Sequence, residues 1–347
     1  MTLCWVNSAH PRTACEVPAG LGPAVDEWVD DLEATTRSGK GMRSALFDAV
    51  YVAAGGDDPA LSSETAKALE LMHEAFLLHD DVVDGDDHRR GQANLQGRIR
   101  DRVAARGAPP ETAENMGRAG GLLGGDLMLV AAVAGFARLP VPASTLHRVL
   151  DEVQWAVSTS VAGEFADVHD AADAHPPSRD RALAIGRAKT AAYSVSLPLV
   201  LGAVLAGAED ATVESLREVG GHLGTAYQVV DDLLGVFGDP GVTGKSNEGD
   251  LLRGAPTVLM AIAATTEAWP RIALALRGHG VGGHGVTGPD PDTARELLLQ
   301  CGARHRAEQI AEDLVFDARA ALEQPAISPE IRMALRPHLD SALERTR

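Results

Sequence analysis

Apolar residues recur along most of this chain at spacings of three and four, the mark of helices that bury one face. The repeat predicts helices over Pro23 to Thr36, Met42 to Ala54, Ser62 to His79, Ala113 to Phe136 and Ser144 to Val168. It continues over Arg179 to Leu205, Ala211 to Gly235 and Pro256 to Ala275, and two more helices are expected over Asp292 to Leu322 and Pro329 to Leu343. Short Gly/Pro breaks separate these runs, and no stretch of alternating β-branched residues suggests a strand. The expected fold is all-α, a large single-domain antiparallel helix bundle.

Nothing resembling a linker divides the 347 residues, so one domain is expected over 17–347 behind an irregular extension at 1–16. Arg277 to Asp292 holds six glycines and two prolines in sixteen residues and reads as a mobile surface loop, 277–292. Asp170 to Ser178 is a polar connector of similar character. The first residues lack a basic start followed by an apolar core, and no apolar run is expected to approach the length of a membrane span. Asp and Glu total 49 against 31 Lys and Arg, a net charge of −18, which argues against nucleic acid as a partner. The same imbalance gives weight to any basic residue beside an acidic cluster. Cys4, Cys15 and Cys301 are odd in number and far apart, which fits a reducing, cytoplasmic location without a disulfide framework or a zinc site.

The densest chemistry lies from His79 to Gly91, HDDVVDGDDHRRG. Asp80 and Asp84 stand one helical turn apart, with Asp81 beside them. Three carboxylates so close repel one another unless cations sit among them. Ligation by carboxylates suits Mg²⁺, a hard ion that keeps waters and shares the oxygens of a phosphate ligand. Arg89 and Arg90 follow, offering planar forks for phosphate. Taken alone, such a run also fits a solvated acidic helix end. The His73 and His79-Asp80 pattern is likewise reminiscent of metal-dependent phosphohydrolases.

A second acidic pair decides between these readings. Gln228-Val229-Val230-Asp231-Asp232 ends another apolar helical run, with Lys245 following it. Two carboxylate clusters this far apart in sequence could face each other across a central cavity and clamp one diphosphate through bridging ions. Here the chain resembles the trans-isoprenyl diphosphate synthases, the polyprenyl synthetase family. Asp80 to Asp84 with Arg89-Arg90 resembles the first aspartate-rich motif, and Asp231-Asp232 the second. The resemblance runs from about Val25 to the C-terminus and keeps the family's order. Gly39-Lys40-Gly41-Met42-Arg43 resembles its basic N-terminal element, Glu70 to His73 the helix whose histidine touches isopentenyl diphosphate, and Lys189-Thr190 its KT pair. Gly124-Gly125-Asp126 and Gly163-Glu164-Phe165-Ala166-Asp167 stand where the family has GD and GQxxD.

The resemblance implies a Mg²⁺-dependent prenyltransferase and a homodimer. It joins isopentenyl diphosphate head-to-tail to an allylic diphosphate. Asp80, Asp81, Asp84, Asp231 and Asp232 are the expected metal ligands. Lys189, Lys245 and Arg89 are expected at the allylic diphosphate, and Lys40, Arg43, His73 and Arg90 at the metal-free one. Thr190 and Gln228 are expected near the allylic cation, with the departing diphosphate as the base. The chain departs from the family pattern at Gly41 (usually arginine), Ser44 (proline), Glu164 (glutamine), Gly235 (aspartate) and Ala255-Pro256, in a stretch that commonly carries basic residues. These departures keep open a weakly active or regulatory subunit of a heteromeric synthase. A helical terpene cyclase shares the fold and first motif, but the stretch from Asp231 to Asp239 lacks the Asn/Ser/Glu triad a cyclase would need.

Product length is expected to be set on the helix of the first motif. Phe76, four residues before Asp80, shares its face and would floor the chain pocket, with Met72 one turn further back. Ala75 is small where many short-chain members carry an aromatic ring. The expected product is geranylgeranyl diphosphate, with farnesyl diphosphate the alternative.

Overall fold

The computed structural model describes residues 20–35, 41–89, 91–172, 178–238, 251, 254–277 and 289–343. The extension at 1–16, residues 278–288 of the expected loop, and the side chains of Lys40, Arg90 and Lys245 lie outside the described residues. The chain forms two compact units, Met1–Asp48 with Asp57–Leu150 and Ala49–Gly56 with Asp151–Arg347. Two helices, α2 (Met42–Ala53) and α6 (Ala143–Ala172), cross the division.

The first unit holds α1 (Pro23–Thr35), α3 (Pro59–Asp84), α4 (Leu95–Ala105) and α5 (Pro110–Ala137). Helix α3 begins where Asp58 accepts hydrogen bonds from the backbone N–H groups of Ala60 and Leu61, with Pro59 in the first turn. It ends at Gly85, whose φ of 71° gives the left-handed cap. The helix thus runs five residues past the expected end at His79 and carries the whole first acidic motif in its last turns. Leu32, Ala75, Leu78, Leu95, Ile99 and Met128 bury together between α1, α3, α4 and α5. Close approach of α5 to α3 depends on glycine: a Cβ at Gly125 would lie 2.4 Å from the ring of His79.

Helix α4 has no counterpart among the expected helices. Its outward positions are arginines that bind acids elsewhere in the unit: Arg102 meets Asp31 at 2.6 Å and Glu27 at 3.3 Å. Only Leu95, Gln96, Gly97 and Ile99 turn inward, too short an apolar repeat to read from sequence. A two-residue hairpin, β1 (His88–Arg89) with β2 (Gln92–Ala93), joins α3 to α4 around Gly91 at φ 74°.

The second unit contains α7 (Arg179–Gly186), a π-helical segment (Arg187–Ser196) and α8 (Leu197–Leu205), which follow one another without a break. After them come α9 (Asp210–Phe237), α10 (Val258–Ala264), α11 (Trp269–Arg277), α12 (Pro291–Gln300), α13 (Ala303–Leu322) and α14 (Pro329–Ser341). The run expected over Pro256 to Ala275 is two helices, because Thr265 and Thr266 turn their hydroxyls onto the carbonyls of Ile262 and Ala263. The run from Asp292 to Leu322 breaks at Gly302, φ 76°. Val229, Val230, Leu233 and Val236 of α9 pack with α10 and with Leu298, Ala307 and Ala311 in the core of this unit.

The expectation that no apolar run approaches membrane-span length is corrected. Pro110–Ala137 and Arg179–Leu205 are both long and apolar enough to cross a membrane, by length and composition alone. Of the apolar window, 78% is buried inside the structure for the second and 39% for the first.

The capping at Asp58 supports the helix that carries the acidic motif. Asp58→Ala is expected to destabilise the protein by about 1 kcal/mol, and Asp58→Asn by much less. Chemical denaturation midpoints of the two variants, set against the parent, check this.

Candidate active site

Helix α3 presents Asp80 and Asp84, both half-buried, on the face that also carries Phe76. Asp81, next to Asp80 in the chain, is buried. Its Oδ1 accepts from Arg89 Nε at 2.9 Å and Nη2 at 2.5 Å, and Arg89 Nη2 also reaches Asp80 Oδ2 at 3.1 Å. Burial pushes the Asp81 carboxyl up to about 6, with the charge and hydrogen bonds of Arg89 opposing it. The Gln96 amide donates to the carbonyls of Asp81 at 3.2 Å and Asp86 at 2.8 Å, and Asn94 also donates to Asp86 O. The turn after the acidic motif is therefore pinned by α4, an element the helical repeat does not reveal. Behind it, His79 meets Asp126 of the GGD string at 3.2 Å.

The N-terminus of α2 explains two departures from the family pattern together. Gly41 sits at φ 65°, a conformation that strains any residue with a Cβ. Ser44 donates its hydroxyl to Glu70 Oε1 at 2.9 Å, and its backbone N–H reaches the same oxygen at 3.2 Å. Glu70 of α3 thus satisfies an orphan donor at the start of α2. Arg43 and His73, both expected at the metal-free diphosphate, are buried in this unit.

In the second unit, Lys189 and Thr190 lie in the π-helical segment. The Leu197 N–H reaches back five residues to Ala192 O, and Pro198, next in the chain, has no N–H with which to restore an α-type bond. The wider coil is admitted by missing side chains on both neighbours. A Cβ at Gly163 of α6 would lie 2.3 Å from Lys189 N, and one at Gly224 of α9 would lie 2.5 Å from Ala191 Cβ. The Lys189 ammonium bridges Glu164, at 3.0 Å to Oε2, and Asp167, at 2.8 Å to Oδ2. Thr190 donates its hydroxyl to the Gln228 carbonyl oxygen, and the Gln228 amide donates to Asp232 Oδ1 at 2.7 Å.

The two acidic pairs follow one pattern. Asp232 is buried against Gln228, as Asp81 is against Arg89, while Asp231 is exposed and Asp80 half-buried. Past the second pair, Arg295 Nε donates to Val236 O at 2.8 Å, and the Arg304 guanidinium sits 5.1 Å from the centre of the Phe237 ring. Cations at the C-terminus of α9 suit its dipole. Ala255-Pro256 leads into the cap of α10, where Thr257 accepts from Met260 N at 3.3 Å.

The residues present fit Mg²⁺ by their donor chemistry, with hard carboxylates one turn apart and each held by internal contacts. Among the described residues no three acidic, histidine or cysteine side chains already close round a common point. A Mg²⁺ shared with a phosphate ligand asks one or two carboxylates of the protein. Gln96 and Asn94 shape the turn after the first acidic pair, yet no spacing rule singles them out. Ala75 is fully buried in the α1, α3, α4 and α5 core, so a ring there would enter that core and not the Asp80 face.

Comparison with known proteins gives one answer at each level. The family profile of the polyprenyl synthetases matches residues 27–276. The geranylgeranyl diphosphate synthase of Mycobacterium tuberculosis is 33% identical over 305 residues, 87% of this chain and 80% of that protein. The (2E,6E)-farnesyl diphosphate synthase of Mycobacterium bovis is 32% identical over 272 residues, 77% of this chain and 68% of that protein. Among solved structures, a Corynebacterium glutamicum geranylgeranyl pyrophosphate synthase complexed with isoprenyl diphosphate and magnesium superposes with a TM-score of 0.84. It shares 32% identity, over 94% of this chain and 93% of that one. With its helical units, paired aspartates and KT segment, the chain belongs to the polyprenyl synthetase family of prenyltransferases.

Proposed function

We propose that this protein condenses isopentenyl diphosphate head-to-tail with an allylic diphosphate, giving geranylgeranyl diphosphate as its main product. Residues 17–347 act as one catalytic domain, in the cytoplasm, as a homodimer. The observation that carries the reading is the construction of the two acidic pairs, each with one carboxylate buried on an internal partner and one turned outward. In each pair the more exposed carboxylate stands beside a buried one that is fixed by hydrogen bonds.

Asp80 and Asp84 in the first unit, and Asp231 in the second, would hold Mg²⁺, which would supply Lewis-acid neutralisation of diphosphate charge. Asp81 and Asp232 hold the geometry of the pairs, and Arg89 anchors Asp80 and Asp81. Lys189 and Lys245 put fixed positive charge on the allylic diphosphate as its carbon–oxygen bond breaks. Thr190 and Gln228, already bonded to each other, turn oxygen atoms toward the developing cation. Lys40, Arg43, His73 and Arg90 bind the metal-free diphosphate as a basic set. The homodimer is supported by apolar side chains left in solvent: Met116, Leu123 and Val130 along α5, and Val161, Phe165 and Val168 along α6.

Purified protein incubated with isopentenyl diphosphate, Mg²⁺ and each short allylic primer tests the reaction, with the products read by mass spectrometry. A twenty-carbon diphosphate is expected. Phe76→Ala is expected to move the distribution to longer chains, since Phe76 shares the helix face of Asp80. No condensation product from any primer would overturn the reading.

The roles within the first pair separate by their effects. Asp80→Ala or Asp84→Ala should cut turnover by roughly 100-fold or more with folding intact. Asp81→Asn should instead act through stability, relieving at neutral pH the cost of a buried carboxylate whose ionisation the fold disfavours. Asp81 has a folded pKa of about 6 against an unbound value of 3.8. Its favourable contribution is therefore complete below the lower value and lost as pH rises through the upper one. In metal-free buffer, the unfolding free energy of the parent minus that of Asp81→Asn should fall as pH rises from 4 to 6.

Pro198→Ala restores the N–H that favours α-helical register across the π segment. The variant is expected to keep or raise its melting temperature while losing roughly tenfold in kcat, with the KM for isopentenyl diphosphate unchanged. A fall in both melting temperature and isopentenyl affinity would show a merely structural role for the proline.

A further inference from the structure

Lys189 is the cation assigned above to the allylic diphosphate, and it is held by two carboxylates on successive turns of α6, Glu164 and Asp167. All three side chains are only one-fifth to about one-quarter exposed, at 20%, 27% and 25% in that order. Glu164 meets the ammonium with both oxygens, at 3.1 Å from Oε1 and 3.0 Å from Oε2. The three charges sum to −1, so Lys189, which should attract a polyanion, is over-neutralised by these two partners. A diphosphate oxygen can reach the ammonium only as a carboxylate gives way. Asp167 holds the lysine at the shorter distance, 2.8 Å, through a shorter and stiffer side chain. Glu164 has the extra methylene and the longer contacts, and is the one built to yield. An amide at this position would still accept a hydrogen bond from Lys189 while removing the competing charge.

We propose that Glu164 is a specificity-determining residue that competes with the diphosphate group for Lys189. It lowers affinity for the allylic substrate and for the inorganic diphosphate left after reaction, and recaptures the lysine as that product departs. Like-charge repulsion between Glu164 and any phosphate acts in the same direction, and a ligand whose charge is offset by Mg²⁺ suffers it least. The residue therefore favours the metal-complexed diphosphate over bare phosphate anions. The inference rests on the assignment of Lys189 to the allylic diphosphate.

Steady-state kinetics of the full-length protein and of Glu164→Gln test it, with inorganic diphosphate as product inhibitor and inorganic phosphate as a second anion. Glu164→Gln is expected to lower the KM for the allylic substrate and the inhibition constant of inorganic diphosphate together, each by roughly fivefold, the worth of a partly exposed ion pair. The KM for isopentenyl diphosphate should stay within twofold, and inhibition by inorganic phosphate should become measurable at lower concentration. Unchanged constants, or a higher allylic KM, would overturn the proposal and make Glu164 a residue that positions Lys189. Lys189→Ala distinguishes that failure from a wrong site assignment: if it leaves the allylic KM and kcat intact, Lys189 does not serve the allylic diphosphate at all.

Discussion

The site depends on keeping like charges close together in a folded, strongly acidic chain. Carboxylates on adjacent turns repel, and without internal partners the outward groups would splay into solvent. Each acidic pair meets this constraint by turning one member inward. Asp81 takes a guanidinium from the hairpin, and Asp232 takes an amide from its own helix one turn back. The inward members are buried, so they resist rotation of the helix end, and their outward neighbours inherit that rigidity. The hydrogen bonds from Gln96 and Asn94 extend the restraint to the turn that follows.

The π-helical segment shows the same economy with backbone in place of charge. Lys189 and Thr190 occupy a coil wider than an α-helix, which ordinarily gives up packing density along its axis. The neighbours recover it by coming closer at Gly163 and Gly224. Thr190 is thereby brought onto Gln228, and Lys189 onto the acids of α6, three helices meeting at one short stretch of chain. At Gly163 and Gly224 a side chain has no room.

Much of the fold was legible because long amphipathic runs report themselves. The helix class, the limits of α1, α2 and α9 to within a residue or two, and both acidic motifs could be read from spacing alone. What escaped has identifiable causes. Helix α4 hides because arginines that bind Glu27 and Asp31 fill its polar side and leave a short apolar repeat. The breaks near Thr265 and Gly302 are single-turn events inside otherwise periodic sequence. The π segment is invisible to a periodicity argument, since it continues the helices on either side without a break; Pro198 and the glycines of two neighbouring helices were the available signal. Motif matching found the residues with outward chemistry. It set Asp80 and Asp81 side by side, but a string of letters does not say that one guanidinium, that of Arg89, meets both.

The left-handed backbone at Gly41 bears on how this chain can change over generations. A single codon change to arginine at that position would strain the loop before any new cation could serve a ligand. Recovering the more common basic pattern would first require the start of α2 to be rebuilt, including the Ser44 and Glu70 contacts that now hold it. The glycine and the Ser44–Glu70 contacts are thus one unit, and a change at position 41 is constrained by the backbone before it is tested by any ligand.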